Sequence, residues 1–282
     1  MDATLQEWVG RRETAVDHIT VPLVHRLAAT LDRDDPVPRA GDPLPTGWHG
    51  VLFPRVVRHS QIGPDGHPQR GDFVPPVPLP RRMNGGKRIR FHDDLRVGDE
   101  VHRESLIQKI VPKDGRSGRM VVVTVKTDIH SPRGLAVTEE QDILYRDHPD
   151  PGAARPAPPR PPGDAVWQHA WTPDPVMLFR YSAVTFNAHR IHYDQPYVTR
   201  TEGYPERIVN GGLSALLVLE LARQQLNAPI AQLSVRNVSP MLVDRTLTVC
   251  GRPAGDAAAA APFWVTNHQG ALSLSAEITV AS

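Results

Sequence analysis

Cysteine is nearly absent: the 282-residue chain has one, Cys250. No disulfide can form within it, which suits a reducing compartment. Leu247, Val249 and Gly251 flank it in a strand-like run, so it reads as a small buried apolar residue rather than a nucleophile. An excess of charge of one sign is also missing. Lys and Arg total 32 against 31 Asp and Glu, and the arginines are interleaved with acids, so there is no nucleic-acid footprint. No apolar run approaches a membrane span. The N-terminal MDATLQEWVGRRE lacks the basic start and apolar core of a secretory signal. Together these absences predict a soluble, cytoplasmic protein with neither nucleic acid nor membrane as partner.

What is present is enough for two ordinary domains, with 40% hydrophobic and 22% charged residues. Residues 147–164, DHPDPGAARPAPPRPPGD, carry almost no large apolar side chain and read as a semi-rigid extended spacer. The predicted units are therefore 1–146 and 165–282. They resemble each other. Set Arg90 against Arg236, and Leu95 meets Met241, Val97 meets Val243 and Val101 meets Leu247 without a gap. Strand-like runs follow in both halves, RMVVVTVKTDIH and LAVTEEQDILYR in the first, APFWVTNHQ and ALSLSAEITVA in the second. Each half also has one helical candidate ahead of its strands, 21–32 and 211–226. The second is apolar nearly all round, through Leu213, Leu216, Leu217, Val218, Leu219 and Leu221, and must be buried. A sheet wrapped around such a helix is an α+β arrangement.

Residues 185–194, TFNAHRIHYD, are the chemical focus. A metal reading would take His189, His192 and Asp194 as ligands, but the spacing is no zinc signature and Arg180 and Arg190 are close in sequence. A polar turn is the plain alternative, and for His189 alone the expected role is to orient the loop. The catalytic reading gains from the next element. A helix opening on Asn210-Gly211-Gly212 would offer unpaired N–H groups and let a ligand approach the backbone. Beside a histidine base, such N–H groups can hold a developing oxyanion, a layout suited to acyl-thioester chemistry. The two glycines are also explained by close packing of the helix against a strand.

Residues 181–194, YSAVTFNAHRIHYD, resemble the hydratase motif of the MaoC-like, or hydratase 2, hot-dog proteins, through Tyr181, Thr185, Ile191, His192 and Asp194. The form TFNxHRIHYD more closely resembles the subgroup containing mesaconyl-C4-CoA hydratase and the mitochondrial 3-hydroxyacyl-thioester dehydratase. The likeness extends through GHPQRGDFVPPVPLPRRM and RFHDDLRVGDEV. It implies a double hot-dog, two bent antiparallel sheets each around a central helix, with a degenerate first unit and an active second one.

The resemblance also implies roles. His192 is the general base and Asn187 positions the water, since an Asn amide cannot act as a base. The N–H of Gly211 or Gly212 binds the thioester oxygen. Tyr181, Arg190, Asp194 and Asn210 contact substrate or brace its loop. The reaction is reversible hydration of an enoyl thioester, delivered by coenzyme A or an acyl carrier protein, with no metal or redox cofactor, in a monomer or homodimer. The general motif has Gly-Asp where this chain has Phe186-Asn187, and relatives tend to have an aromatic, contacting adenine, where this chain has Asn84. Arg180, Arg190, Arg200 and Arg207 are candidates to hold a dicarboxylic acyl chain. Rival readings are a dehydratase on an unusual or carrier-bound acyl group, a hot-dog thioesterase using Glu202, Glu206 or Glu220, and a non-catalytic acyl-thioester-binding protein.

Overall fold

The computed structural model describes residues 3–115, 118–147, 158–255 and 260–281. A short helix, α1 (Ala3–Gln6), precedes β1 (Arg12–His18) and α2 (Val21–Thr30). A long connection leads to β2 (Arg81–Phe91), β3 (Glu100–Gly115), β4 (Gly118–Ser131) and β5 (Gly134–Arg146). The order then recurs. β6 (Trp167–Trp171) is followed by the helices α3 (Pro175–Val184), α4 (Gln195–Arg200) and α5 (Gly211–Gln225). Then come β7 (Ile230–Asn237), β8 (Leu247–Gly251), β9 (Ala261–Thr266) and β10 (Leu272–Val280). Most of the proline-rich spacer, residues 148–157, lies outside the described residues.

These strands form one antiparallel sheet in the order β1-β3-β4-β5-β2-β7-β10-β9-β8-β6. Exchange each strand for its repeat partner, and the order reads the same from either end. At the central seam, β2 against β7, Arg88 lies opposite Ser234. Ser234 is also the residue that the sequence repeat aligns with Arg88, so a pseudo-two-fold axis passes through this pair. The correspondence continues beyond the strands. Arg96 bridges to Pro43, and its repeat partner Leu242 bridges to Ile208. Two residues on, Gly98 and Asp244 both adopt positive φ, 97° and 56°. Gly86 makes the seam possible, because a side chain there would overlap the Val235 carbonyl oxygen.

The α+β double hot-dog expected from sequence is present, with its two half-sheets joined into one. The expectation of a central helix in each unit fails. Residues Val21–Thr30 are helical, but α2 follows β1 as α3 follows β6, and it packs against α3. Between α2 and β2 the described chain forms only two single 3-10 turns, Trp48–Val51 and His59–Gln61. Prolines recur along it from Pro36 to Pro80, and each removes a helix N–H donor.

Helix α5 therefore serves the core of both units. Leu213, Leu216, Val218, Leu219 and Leu221 are buried, with β7 to β10 against the helix. The first unit covers it elsewhere. Gly47, at φ 88°, presses its backbone on Leu219, where a side chain would overlap. The buried Trp48 indole N–H donates to Glu220, 3.3 Å away, and Glu220 also pairs with Arg33 and Arg223. This packing points the N-terminus of α5 at the gap between the units.

Candidate active site

The motif loop leaves α3 through a backbone position shaped for glycine. Phe186 has φ 51°, the left-handed region that only glycine enters without cost. This is the position where the general hydratase motif has Gly. Next, the Asn187 side-chain oxygen accepts the His189 N–H at 3.0 Å. Its amide NH2 is thereby left as a donor, with no partner among the described residues. Arg190–His192 form a single 3-10 turn. Pro196, which suggested a loop, lies instead in the first turn of α4, where a missing N–H costs nothing. Asp194 caps that helix by accepting the Tyr197 N–H at 3.0 Å.

His192 is buried, and its Nδ1 lies 2.7 Å from the Ile208 carbonyl oxygen. A carbonyl only accepts, so Nδ1 carries the proton and Nε2 is the free base. Burial pushes the imidazole pKa down to about 4, with His67 adding to the shift and the Ile208 bond opposing it. The ring is neutral at pH 7. An unfolded histidine titrates near 6.5, well above this folded value. As pH falls from about 6.5 to about 4, the unfolded chain takes up a proton that the folded chain refuses. Stability is thus complete above that window and lost within it, His192 contributing roughly 3 kcal/mol. Urea unfolding at pH 7.5 and 4.5 is expected to show this loss in the wild type and a smaller one in His192→Gln. Equal pH sensitivity of the two proteins would count against the assignment.

The α5 N-terminus is open. Asn210 stands at the cap position, but its side chain makes no capping bond. Its amide instead donates to Ser182 Oγ at 3.4 Å, and its buried oxygen has no partner. The Gly211 and Gly212 N–H groups likewise make no hydrogen bond among the described residues. Tyr181 places its hydroxyl against Gly212, so closely that a side chain there would overlap it. Burial first, and Glu139 second, push the Tyr181 pKa up, so the hydroxyl stays protonated and can donate. Gly211 is less constrained: a methyl there would make ordinary contacts, 3.5 Å from the amides of Asn84 and Asn237.

A cavity of about 530 Å³ gathers Tyr181, Asn187, His192, Asn210, Gly211 and Gly212 in its lining. Arg190 and Asp194 are not in it. They pair with each other at 2.7 Å, and Arg190 also donates to the Pro64 carbonyl at 2.9 Å. The other arginines singled out from sequence are elsewhere too. Arg180 binds the Ala29 carbonyl, Arg207 pairs with Glu206 and Arg200 ends α4. The cavity's cationic side chains are Arg82 and Arg146, from the first unit. Arg82 has no hydrogen-bond or ion-pair partner among the described residues. Asn84, expected at the adenine end, lies beside Gly211 instead. No Asp or Glu among the described residues lines the cavity. Glu202 is tied to Arg81, Glu206 to Arg207 and Glu220 to Arg33, so none is the carboxylate a thioesterase would place at the carbonyl.

Sequence reasoning also missed His67, which enters the cavity from the first unit. Its turn docks directly on the motif loop. The Arg190 N–H donates to the Asp65 carbonyl at 2.9 Å, and Gly66, at φ 88°, meets the Ala188 carbonyl where no side chain fits. The His67 ring lies 4.1 Å from that of His189, which lies 5.4 Å from that of His192. Asp65 accepts from His67 Nδ1 at 3.2 Å. Burial would raise the Asp65 pKa, but the His67 contacts outweigh it and hold the carboxyl well below the usual range. Asp65, His67 and His189 bring one donor atom each within 4.8 Å of one another. Burial first, then Arg82 and Arg70, outweigh Asp65 and hold the His67 pKa below the ordinary imidazole value, and the two guanidiniums that bear on the ring disfavour a cation there. The metal set suggested by sequence is not assembled, since Asp194 belongs to Arg190. The Asp-Gly turn at 65–66 was the available signal.

The chain resembles known proteins in sequence and in fold. The chain is 46% identical over 252 residues to a mesaconyl-C(4)-CoA hydratase of Chloroflexus aurantiacus, covering 88% of this chain and 89% of that one. A MaoC-like dehydratase structure from Phytophthora capsici superposes with a TM-score of 0.72 at 14% identity, covering 99% of this chain and 98% of that one. A Mycobacterium tuberculosis protein described as a double hot-dog superposes at 0.52 with 14% identity, covering 96% and 95% of the two chains. Residues 47–243 match the family model for hydroxyacyl-thioester dehydratase type 2, a span that holds both the His67 turn and the His192 loop. The chain belongs to the hydroxyacyl-thioester dehydratase type 2 family.

Proposed function

We propose that this protein is a hydro-lyase that adds water across the 2,3 double bond of an enoyl-CoA and runs the reverse dehydration of the 3-hydroxyacyl thioester. The observation that carries this is one cavity with a histidine whose Nε2 is free and a helix N-terminus whose N–H groups are unbonded. In hydration, His192 Nε2 takes a proton from water while the Asn187 amide holds the water oxygen. The oxygen bonds to C3, and the double-bond electrons move onto the thioester. The Gly211 and Gly212 N–H groups, with the Tyr181 hydroxyl, hold the enolate oxygen. No step uses a metal or redox cofactor. The single buried cysteine suits the cytoplasm as compartment, and no described helix is long and apolar enough to cross a membrane.

The acyl group we propose is a short dicarboxylic one, as in the mesaconyl thioester of the 46%-identical relative. Arg82 supports this: a partly buried guanidinium in the cavity without a protein partner suits a second carboxylate. Hydration is followed as loss of the conjugated enoyl absorbance, with crotonyl-CoA, a longer enoyl-CoA and mesaconyl-C4-CoA as substrates. Mesaconyl-C4-CoA is expected to give the highest kcat/KM. Arg82→Gln is expected to lower that value by about 10- to 100-fold, the worth of a charged hydrogen bond, and to leave crotonyl-CoA nearly unchanged. Equal loss on both would place Arg82 on the coenzyme A they share and reject the carboxylate assignment.

A further inference from the structure

We propose that Asp65 and His67 form a second acid–base couple of this site, entering from the first unit to do what Asn187 cannot. The inference rests on the hydro-lyase reading. Hydration moves two protons, one off the water and one onto C2. Asn187 has no titratable proton, and no described carboxylate lines the cavity. His67 does line it, and its Nδ1 is engaged by Asp65 at 3.2 Å, which leaves Nε2 for a ligand. The turn is held there by several contacts. Arg190 donates to Pro64 and Asp65 carbonyls, both at 2.9 Å, and Gly66 fits where a side chain would strike Ala188. Arg190 and Asp194 are thus positioning residues: their ion pair secures the arginine that holds the His67 turn.

The step is balanced as follows. In the reactive protonation state, a minority one at neutral pH, His67 is an imidazolium beside the Asp65 carboxylate and His192 is neutral. His192 takes one proton from water as the oxygen bonds to C3. The enolate then collapses, and His67 Nε2 delivers its proton to C2. One water is consumed, and the charge now rests on His192. His192 then loses this proton to solvent and His67 takes one up from it as product leaves, which restores the starting state. The groups that bear on His67 are Asp65 of its own turn, Arg70 of the same connection, Arg82 of β2, and His189 and His192 of the motif loop. Burial, with Arg82 and Arg70, lowers its pKa below the ordinary imidazole value, and Asp65 opposes that shift and favours the protonated form.

The test compares wild type, His67→Gln and Asp65→Asn, with folding checked by circular dichroism and thermal unfolding. His67→Gln is expected to lower kcat for hydration of mesaconyl-C4-CoA or crotonyl-CoA by about 10²-fold or more, with KM little changed. The wild-type rate should fall as pH rises through the His67 titration. That limb should move to lower pH in Asp65→Asn and vanish in His67→Gln, which a purely structural role would not produce. A kcat within about threefold of wild type in His67→Gln, or an unmoved limb in Asp65→Asn, overturns the proposal. So does activity abolished by a chelator and restored by Zn²⁺, which would make the cluster a cation site. Wild-type protein that hydrates neither thioester sinks the hydro-lyase reading itself. The couple is then read without turnover, by NMR titration of His67: a shift to lower pH in Asp65→Asn supports the pairing, and no shift removes it.

Discussion

Replacing His192 with alanine is expected to lower kcat/KM for enoyl-thioester hydration by about 10²- to 10⁴-fold, with most of the loss in kcat. The expectation follows from how the ring is held. Its Nδ1 proton is committed to the Ile208 carbonyl at 2.7 Å, so one tautomer dominates and Nε2 is always the acceptor. Burial keeps that nitrogen unprotonated down to about pH 4, well below any ordinary assay. Its neighbours on the motif loop cannot replace it. Asn187 has its oxygen occupied by the His189 N–H, and its amide only donates. The His189 pKa is driven far down by burial first and then by His67 and His192, which leaves it a poor base. His192→Gln should lose as much rate as alanine while keeping more of the volume, which separates lost chemistry from a lost side chain. Added imidazole should return part of the alanine variant's rate and none of the glutamine variant's. Turnover by His192→Ala within about tenfold of wild type would remove the histidine from the chemistry, since general bases supply at least ~10²-fold.

How much of this was legible in the sequence depends on the range of the interactions. The strands and α5 follow from local periodicity and composition. The repeat followed from a gapless alignment, and its centre proved to be an actual backbone pairing, Arg88 with Ser234. His192, Asn187 and the two glycines were readable because the motif loop and the helix start lie within one short stretch of chain. The missing central helix of the first unit was not readable by searching for one helix per repeat. Its place is taken by extended, proline-rich chain, and only tertiary packing shows that α5 serves both units. His67 and Arg82 were missed for a related reason. They reach the cavity by docking the first unit on the second, through Gly66 on Ala188 and Arg190 on Pro64, pairings that no local pattern specifies. Asp194 and Arg190 take the bracing role rather than the substrate-contacting one: sequence proximity to His192 does not bring them into the cavity, because they satisfy each other.

Gly212→Ala is expected to lower kcat by about 10²- to 10³-fold, the usual cost of disturbing an oxyanion donor, and to destabilise the fold by about 1–3 kcal/mol. The new methyl would overlap the Tyr181 hydroxyl, whose ring is buried and cannot simply swing away. Either the tyrosine or the first turn of α5 must give, and both supply donors to the same oxygen. Tyr181→Phe separates the two effects. It removes the clashing oxygen, and the nearest remaining ring carbon lies 3.5 Å from the added methyl, an ordinary contact. The double variant should therefore unfold at a higher temperature than Gly212→Ala alone, a favourable coupling between neighbours that additivity would not produce. Its rate distinguishes the donors. If the helix N–H groups dominate, the double variant returns to the rate of Tyr181→Phe alone; if the hydroxyl dominates, Tyr181→Phe is already as slow as Gly212→Ala. Gly211→Ala provides the steric comparison, since its methyl would touch only the Asn84 and Asn237 amides at about 3.5 Å and leave the fold unstrained. Full activity in Gly212→Ala would mean that this helix end does not hold the reacting oxygen, because the donors that line it could not have kept their places.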